Sequence, residues 1–141
     1  MNKTAVIYWS GTGNTQAMAE AVLSGMKDAG ADALMLTPDQ VNASAIADLD
    51  GIALGCPAMG AEVLEDSEFE PMYESIKPSL AGKAVALFGS YGWGDGEWMR
   101  SWEEDCSAAG IKLAAESVIC CEAPDDTALA AYRDLGAVLA K

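Results

Sequence analysis

The stretch Thr4-Ala5-Val6-Ile7-Tyr8-Trp9-Ser10-Gly11-Thr12-Gly13-Asn14-Thr15 decides how the rest of the chain is read. Its first half, Thr4 to Trp9, is apolar, β-branched and aromatic, and predicts a buried strand. Its second half is a turn of hydroxyls, an amide and two glycines. Beyond it Met18, Val22 and Met26 recur every four residues, the stripe of a helix with one apolar face, which Gly30 ends. A strand that feeds a helix through a glycine-rich turn is the opening unit of a parallel α/β sheet.

The alternation continues to the last residues. Strands are predicted over Ala33 to Leu36, Gly51 to Cys56 and Lys83 to Phe88, and a fifth within Ile111 to Cys121. A short helix is predicted within Pro38 to Leu49, and helices over Ser67 to Ile76, with Pro71 near its first turn, Glu97 to Ala109, stopped by Gly110, and Asp125 to Ala140, with Pro124 just before it. The first, third and fourth strands are apolar throughout, as strands covered on both faces are. The expectation is an α/β fold: a doubly wound five-stranded parallel sheet with helices on both faces and right-handed crossovers, in one domain over residues 1–141.

Composition narrows the function. With 51% hydrophobic and 21% charged residues the chain is globular in character, and its apolar runs fall far short of a membrane span. The apolar run Ala5 to Trp9 is too short for a signal peptide and has no small-residue cleavage site after it, so a cytoplasmic location is expected. A net charge of −14 disfavours nucleic acid and anionic membranes. It suits either solubility or the encounter with basic protein surfaces. There are no histidines, which removes the commonest general base and every Ser-His or Cys-His pair. Cys56, Cys106, Cys120 and Cys121 form no C-x-x-C spacing, so neither a metal site nor a disulfide framework is expected. They read as small buried hydrophobes.

In a doubly wound sheet ligands sit beyond the carboxyl ends of the strands, where the strand order reverses. Three loops emerge there. The first, Trp9-Ser10-Gly11-Thr12-Gly13-Asn14-Thr15, offers neutral donors and a helix N-terminus, which suits a phosphate. It has no lysine, so it is not a Walker loop, and lacks the third glycine of a dinucleotide fingerprint. A terminal monophosphate fits; a plain glycine-rich turn with a capped helix remains open on these residues alone. The second loop, Cys56-Pro57-Ala58-Met59-Gly60-Ala61-Glu62, carries a soft, polarisable thioether. The third, Phe88-Gly89-Ser90-Tyr91-Gly92-Trp93-Gly94-Asp95-Gly96, sets two large aromatics among four glycines. That suits a face for a flat ligand, or a tryptophan lying over the core edge.

Taken together, the segments YWSGTGNT (8–15), GCPAMGAEVLED (55–66) and ALFGSYGWGDGEWM (86–99) resemble those of a flavodoxin of the short-chain type, and the alternation around them matches over essentially the whole chain. The fifth strand has no room for the insertion of about twenty residues that marks long-chain members. The resemblance implies strand order 2-1-3-4-5, non-covalently bound flavin mononucleotide (FMN), and a low-potential carrier that shuttles single electrons through the semiquinone/hydroquinone couple. It implies no substrate of its own, so not an enzyme. Implied partners are basic surfaces of redox enzymes that otherwise use ferredoxin, met by a monomer. Carried over residue by residue, the phosphate lies on Ser10, Thr12, Gly13, Asn14 and Thr15, with Ser90 adding a hydroxyl, and Trp9 and Gly11 complete that loop. The isoalloxazine lies between Met59 and Trp93, flanked by Pro57, Ala58 and Tyr91. Glu62 accepts from a ring N–H, and Gly92 and Gly94 bring backbone groups to the pyrimidine edge. Ala61 departs from the polar residue often found there and offers only its backbone N–H. The Met59–Gly60 peptide is implied to turn over on one-electron reduction, a motion glycine permits at little cost. A Gly60→Ala variant is then expected to yield less semiquinone in a reductive titration.

Six carboxylates lie between Glu62 and Glu74, and Asp95, Glu97, Glu103, Glu104 and Asp105 follow the third loop. Like charges about 4 Å apart in water repel by about 1 kcal/mol. They are expected to oppose further negative charge on the flavin, less so as salt rises. An FMN-dependent NAD(P)H quinone or nitro reductase on the same fold is the alternative. It needs an open ring face and basic charge for a nucleotide phosphate, and Arg100 is the only basic residue near the ring loops. A phosphoacceptor domain of the same strand order needs an Asp at a strand end, where Trp9, Cys56 and Phe88 stand instead.

Overall fold

The structure, a computed structural model, describes residues 3–9, 14–57, 68–91, 97–115, 117–121 and 125–140. Within them β1 (Lys3–Tyr8), β2 (Asp32–Leu36), β3 (Gly51–Gly55), β4 (Ala84–Tyr91) and β5 (Val118–Cys121) form one five-stranded sheet. The order is β2-β1-β3-β4-β5, and every pairing is parallel. The expected α/β class, strand order and five strands are what the chain adopts. The order reverses between β1 and β3, since β1 leads to β2 on one side and β3 leads to β4 on the other.

Helices cover both faces. Val6, Ala53, Ala86 and Phe88 pack against α1 (Asn14–Asp28) and α5 (Asp126–Leu139). Ala5, Ile7, Ile52, Leu54, Val85 and Leu87 face α2 (Ala43–Ala47), α3 (Phe69–Leu80) and α4 (Glu97–Ala108). Asp125 caps α5, its side chain accepting from the Ala128 N–H at 2.8 Å. Gly30 and Gly110 leave α1 and α4 at φ 91° and 80°, conformations that cost a residue without Cβ nothing.

Two elements, α3 and β4, run further than expected. The short helix expected within Pro38 to Leu49 is α2, and a 3₁₀ turn at Pro38–Gln40 precedes it. Asn42 stands between them, its side chain accepting from the Ala45 N–H as a fresh N-cap. The helix expected to stop at Ile76 runs on through Pro78 to Leu80. Proline inside a helix forfeits a hydrogen bond and crowds the preceding turn, yet Leu80 is fully buried, and its burial rewards the extra turn. Pro71 stands in the first turn, where its missing N–H is no loss. The fifth strand expected within Ile111 to Cys121 is Val118–Cys121, preceded by one isolated bridge, Leu113 to Val85. Between that bridge and the Val118–Phe88 pairing, β4 advances three residues (85 to 88) and the other chain five (113 to 118). Two surplus residues break the ladder.

Candidate functional site

The switch point lies where β1 and β3 end side by side. The strand ends are tied laterally: the Trp9 N–H donates to the Gly55 carbonyl at 3.0 Å, and the Cys56 N–H to the Phe88 carbonyl at 3.2 Å. The three loops singled out in the sequence therefore leave from one place. Close packing there depends on glycine at two positions. A Cβ at Gly55 would strike the Phe88 ring, and one at Gly89 would strike the Cys56 carbonyl oxygen and lie 3.1 Å from the Trp98 ring.

On the first loop, Asn14 opens α1 and Thr15, its second residue, is buried. The first turn of α1 contains no carboxylate, whereas α3, α4 and α5 begin with Glu70, Glu97 and Asp126. A dianion at the end of α1 would meet the positive end of the helix dipole and no carboxylate in the first turn. This helix end fits a phosphate monoester, and with it the FMN that the sequence implies. Trp9 turns away toward α3: its indole N–H donates to Glu68 at 2.9 Å. Tyr8, Trp9, Gln16, Thr37, Pro38, Asp39 and Glu68 line a cavity of about 230 Å³ beside this bond.

On the second loop Cys56 is buried and Pro57 half-buried. The Cys56 carbonyl accepts from the Trp98 indole N–H at 3.3 Å. On the third, β4 runs three residues further than expected, to Tyr91, and Ser90 pairs with Cys120 in the sheet. The Tyr91 ring lies tilted against Trp98, centroids 5.6 Å apart. From the other face of the sheet Tyr132 donates to the Gly89 carbonyl at 3.4 Å. Burial foremost, with the Cys120 sulfur adding to it, pushes the Tyr132 hydroxyl well above its ordinary range, so it stays a donor.

The structure thus brings together the roots of all three loops, with Trp9, Thr15, Pro57 and Tyr91 at or beside them. Ser10, Gly11, Thr12, Gly13, Ala58, Met59, Gly60, Ala61, Glu62, Gly92, Trp93 and Gly94 lie outside the described residues, as do the side chains of Asn14 and Ser90. The sequence reading assigned no role to Glu68, Gly89 or Trp98. Trp9 and Glu68 are 59 residues apart, and nothing local marks the pair. Trp98 was legible in part, because Trp98 and Trp102 are four apart and both are buried on α4.

Behind the site, α3 and α4 are held together by a polar cluster. The Tyr73 hydroxyl donates to Asp105 at 2.8 Å, and Lys77 lies 2.9 Å from Asp105 and 3.0 Å from Glu74. Burial alone pushes the Asp105 carboxyl up. Hydrogen bonds from Lys77 and Tyr73 and the Lys77 charge outweigh it and hold the carboxyl below its ordinary value. Burial foremost, then contacts with Cys106 and Asp105, keeps the Tyr73 hydroxyl protonated far above its ordinary range.

Known proteins place this architecture. The family model for flavodoxin matches residues 6–135. The flavodoxin of Clostridium beijerinckii is 47% identical over 121 residues, covering 86% of this chain and 88% of its own. That of Megasphaera elsdenii is 44% identical over 136 residues, 96% of this chain and 97% of its own. The solution structure of the two-electron-reduced Megasphaera elsdenii protein superposes with a TM-score of 0.89 over 97% of this chain and 98% of that one. A flavodoxin from the domain Archaea superposes at 0.86 with 28% identity, covering 98% and 96% of the two chains. From its strand order, the glycine-dependent meeting of its loop roots and these kinships, the chain belongs to the flavodoxin family.

Proposed function

We propose that this protein is an electron carrier that binds one FMN non-covalently and passes single electrons between larger redox enzymes, with no substrate of its own. The observation that carries the reading is the carboxylate-free N-terminus of α1 opening beside two tightly joined loop roots, in a chain of flavodoxin kinship. Ser10, Thr12, Gly13, Asn14 and Thr15, with Ser90, would hold the phosphate. Met59 and Trp93 would cover the two faces of the isoalloxazine, and Glu62, Gly92 and Gly94 would meet its polar edge, with the Ala61 backbone beside them. When bound, the flavin supplies one-electron redox chemistry. The chain's own residues grip the phosphate without a cation, exclude water from the ring faces and surround the ring with carboxylates that oppose added negative charge. A low reduction potential follows.

The proposal extends to one domain over residues 1–141, acting as a monomer in the cytoplasm. Among the described residues no helix is long and apolar enough to cross a membrane. The partners are basic surfaces of redox enzymes that also use ferredoxin, drawn by the charge of −14. The test is the visible spectrum of the purified protein, and titration of the stripped polypeptide with riboflavin 5′-phosphate. A yellow protein that takes up the nucleotide one to one is expected; a colourless one that ignores it overturns the reading. Steady NAD(P)H oxidation by the protein alone would instead favour the reductase.

A further inference from the structure

The two loops proposed to face the flavin ring share a contact that belongs to neither of them. Trp98 sits on α4 and is 1% exposed. Its indole N–H donates to the carbonyl of Cys56, the first residue of the second loop, at 3.3 Å. Its ring lies against Tyr91, at the end of β4 where the third loop leaves, and beneath Gly89, where a Cβ would lie 3.1 Å from it. One rigid, buried side chain thus touches the root of each loop. Trp102, one turn further along α4, is equally bulky and 2% exposed. It packs edge-on to Phe69 and Tyr73 instead, and its indole N–H is buried without a hydrogen-bond partner.

We infer that Trp98 is a positioning residue that fixes the roots of the two ring-facing loops against each other, and so governs affinity for the ring half of the flavin and not for its phosphate. This rests on the FMN reading above. Helix α1, which follows the phosphate loop, packs on the opposite face of the sheet from α4. Cys56 is held at both of its backbone polar groups: its N–H donates to the Phe88 carbonyl, and its carbonyl accepts from the Trp98 indole. Phenylalanine at 98 keeps most of the bulk and loses that second hold.

The experiment compares Trp98→Phe with Trp102→Phe, which trims the same atoms from the same helix away from the loop roots. Dissociation constants are measured for FMN and for riboflavin, which has the ring and no phosphate. Trp98→Phe should weaken both flavins by the same factor, about three- to tenfold, the range one neutral hydrogen bond supplies. Trp102→Phe should leave both within about twofold, whatever either variant does to the unfolding midpoint. Equal behaviour of the two variants overturns the inference, as does a loss confined to FMN. If the unmodified protein binds neither flavin, the carrier reading itself falls. Should Trp98→Phe not fold, the unmodified protein labelled with ¹⁵N-tryptophan decides. The Trp98 indole N–H signal should shift on riboflavin addition while that of Trp102 stays, and an unmoved Trp98 signal overturns the inference.

Discussion

Thr15 shows how far a single residue can be read. Its place after S-G-T-G-N is visible in the sequence, and its burial at the start of α1 is visible in the structure. As a phosphate donor it should matter only to ligands that carry one. Thr15→Val is expected to weaken FMN about tenfold or more, as loss of a hydrogen bond to a charged group does, and to leave riboflavin binding unchanged in the same titration. Asp105 was read from sequence with the carboxylates that oppose charge on the flavin, and its pairing stayed hidden because its partners Tyr73 and Lys77 lie 32 and 28 residues away. Its carboxyl is held below the ordinary 3.8, so the folded state binds a proton less readily than the unfolded chain does. The stability it contributes is present above that value and is lost as pH falls through the lower folded one. Asp105→Asn should therefore unfold more easily than the unmodified protein in urea at pH 7. The two midpoints should converge as the pH is lowered below about 3.8.

At the level of elements, periodicity and punctuation gave away most of the fold. The stripes of α1, α4 and α5, the apolar runs of β1, β3 and β4, and the glycines after α1 and α4 are all local signals. What stayed hidden depends on partners distant in sequence: the turn of α3 past Pro78 answers to the pocket that receives Leu80, and the break before β5 answers to register against β4. The packing of α1 on α5 was hidden in the same way. Gly25 backs onto the carbonyl of Arg133, and Gly136 backs onto that of Val22, so the two backbones touch without side chains between them. Alanine at either position would push rigid backbone apart, the overpacking that costs about 1–3 kcal/mol. Gly25→Ala and Gly136→Ala should each lower the thermal midpoint seen by circular dichroism, and the double variant should fall short of the sum, because one separation of the helices relieves both.

For the molecule as a whole, charge is the property that composition states most directly and the fold distributes. Exposed carboxylates on α3 and α4, among them Glu70, Glu74, Glu97 and Glu104, stand on the helices that follow the two ring-facing loops. Steered encounter with a basic acceptor should slow as ionic strength rises. Stopped-flow transfer to such a partner is expected to fall steeply between about 0.05 and 0.5 M salt, whereas a rate indifferent to salt would deny the acidic face any part in docking. The sheet is just as uneven. Toward β1 and β3 every rung is closed and the loop roots are clamped, but at the far edge, between the Leu113 bridge and Val118, the chain advances two residues more than β4 does. Chain lengthened there would uncouple no rung already made. That slack explains, in mechanical terms, how an architecture of this kind accommodates an excursion in its fifth strand, and it marks the seam at which a foreign peptide could be spliced into this carrier while the flavin end stays undisturbed.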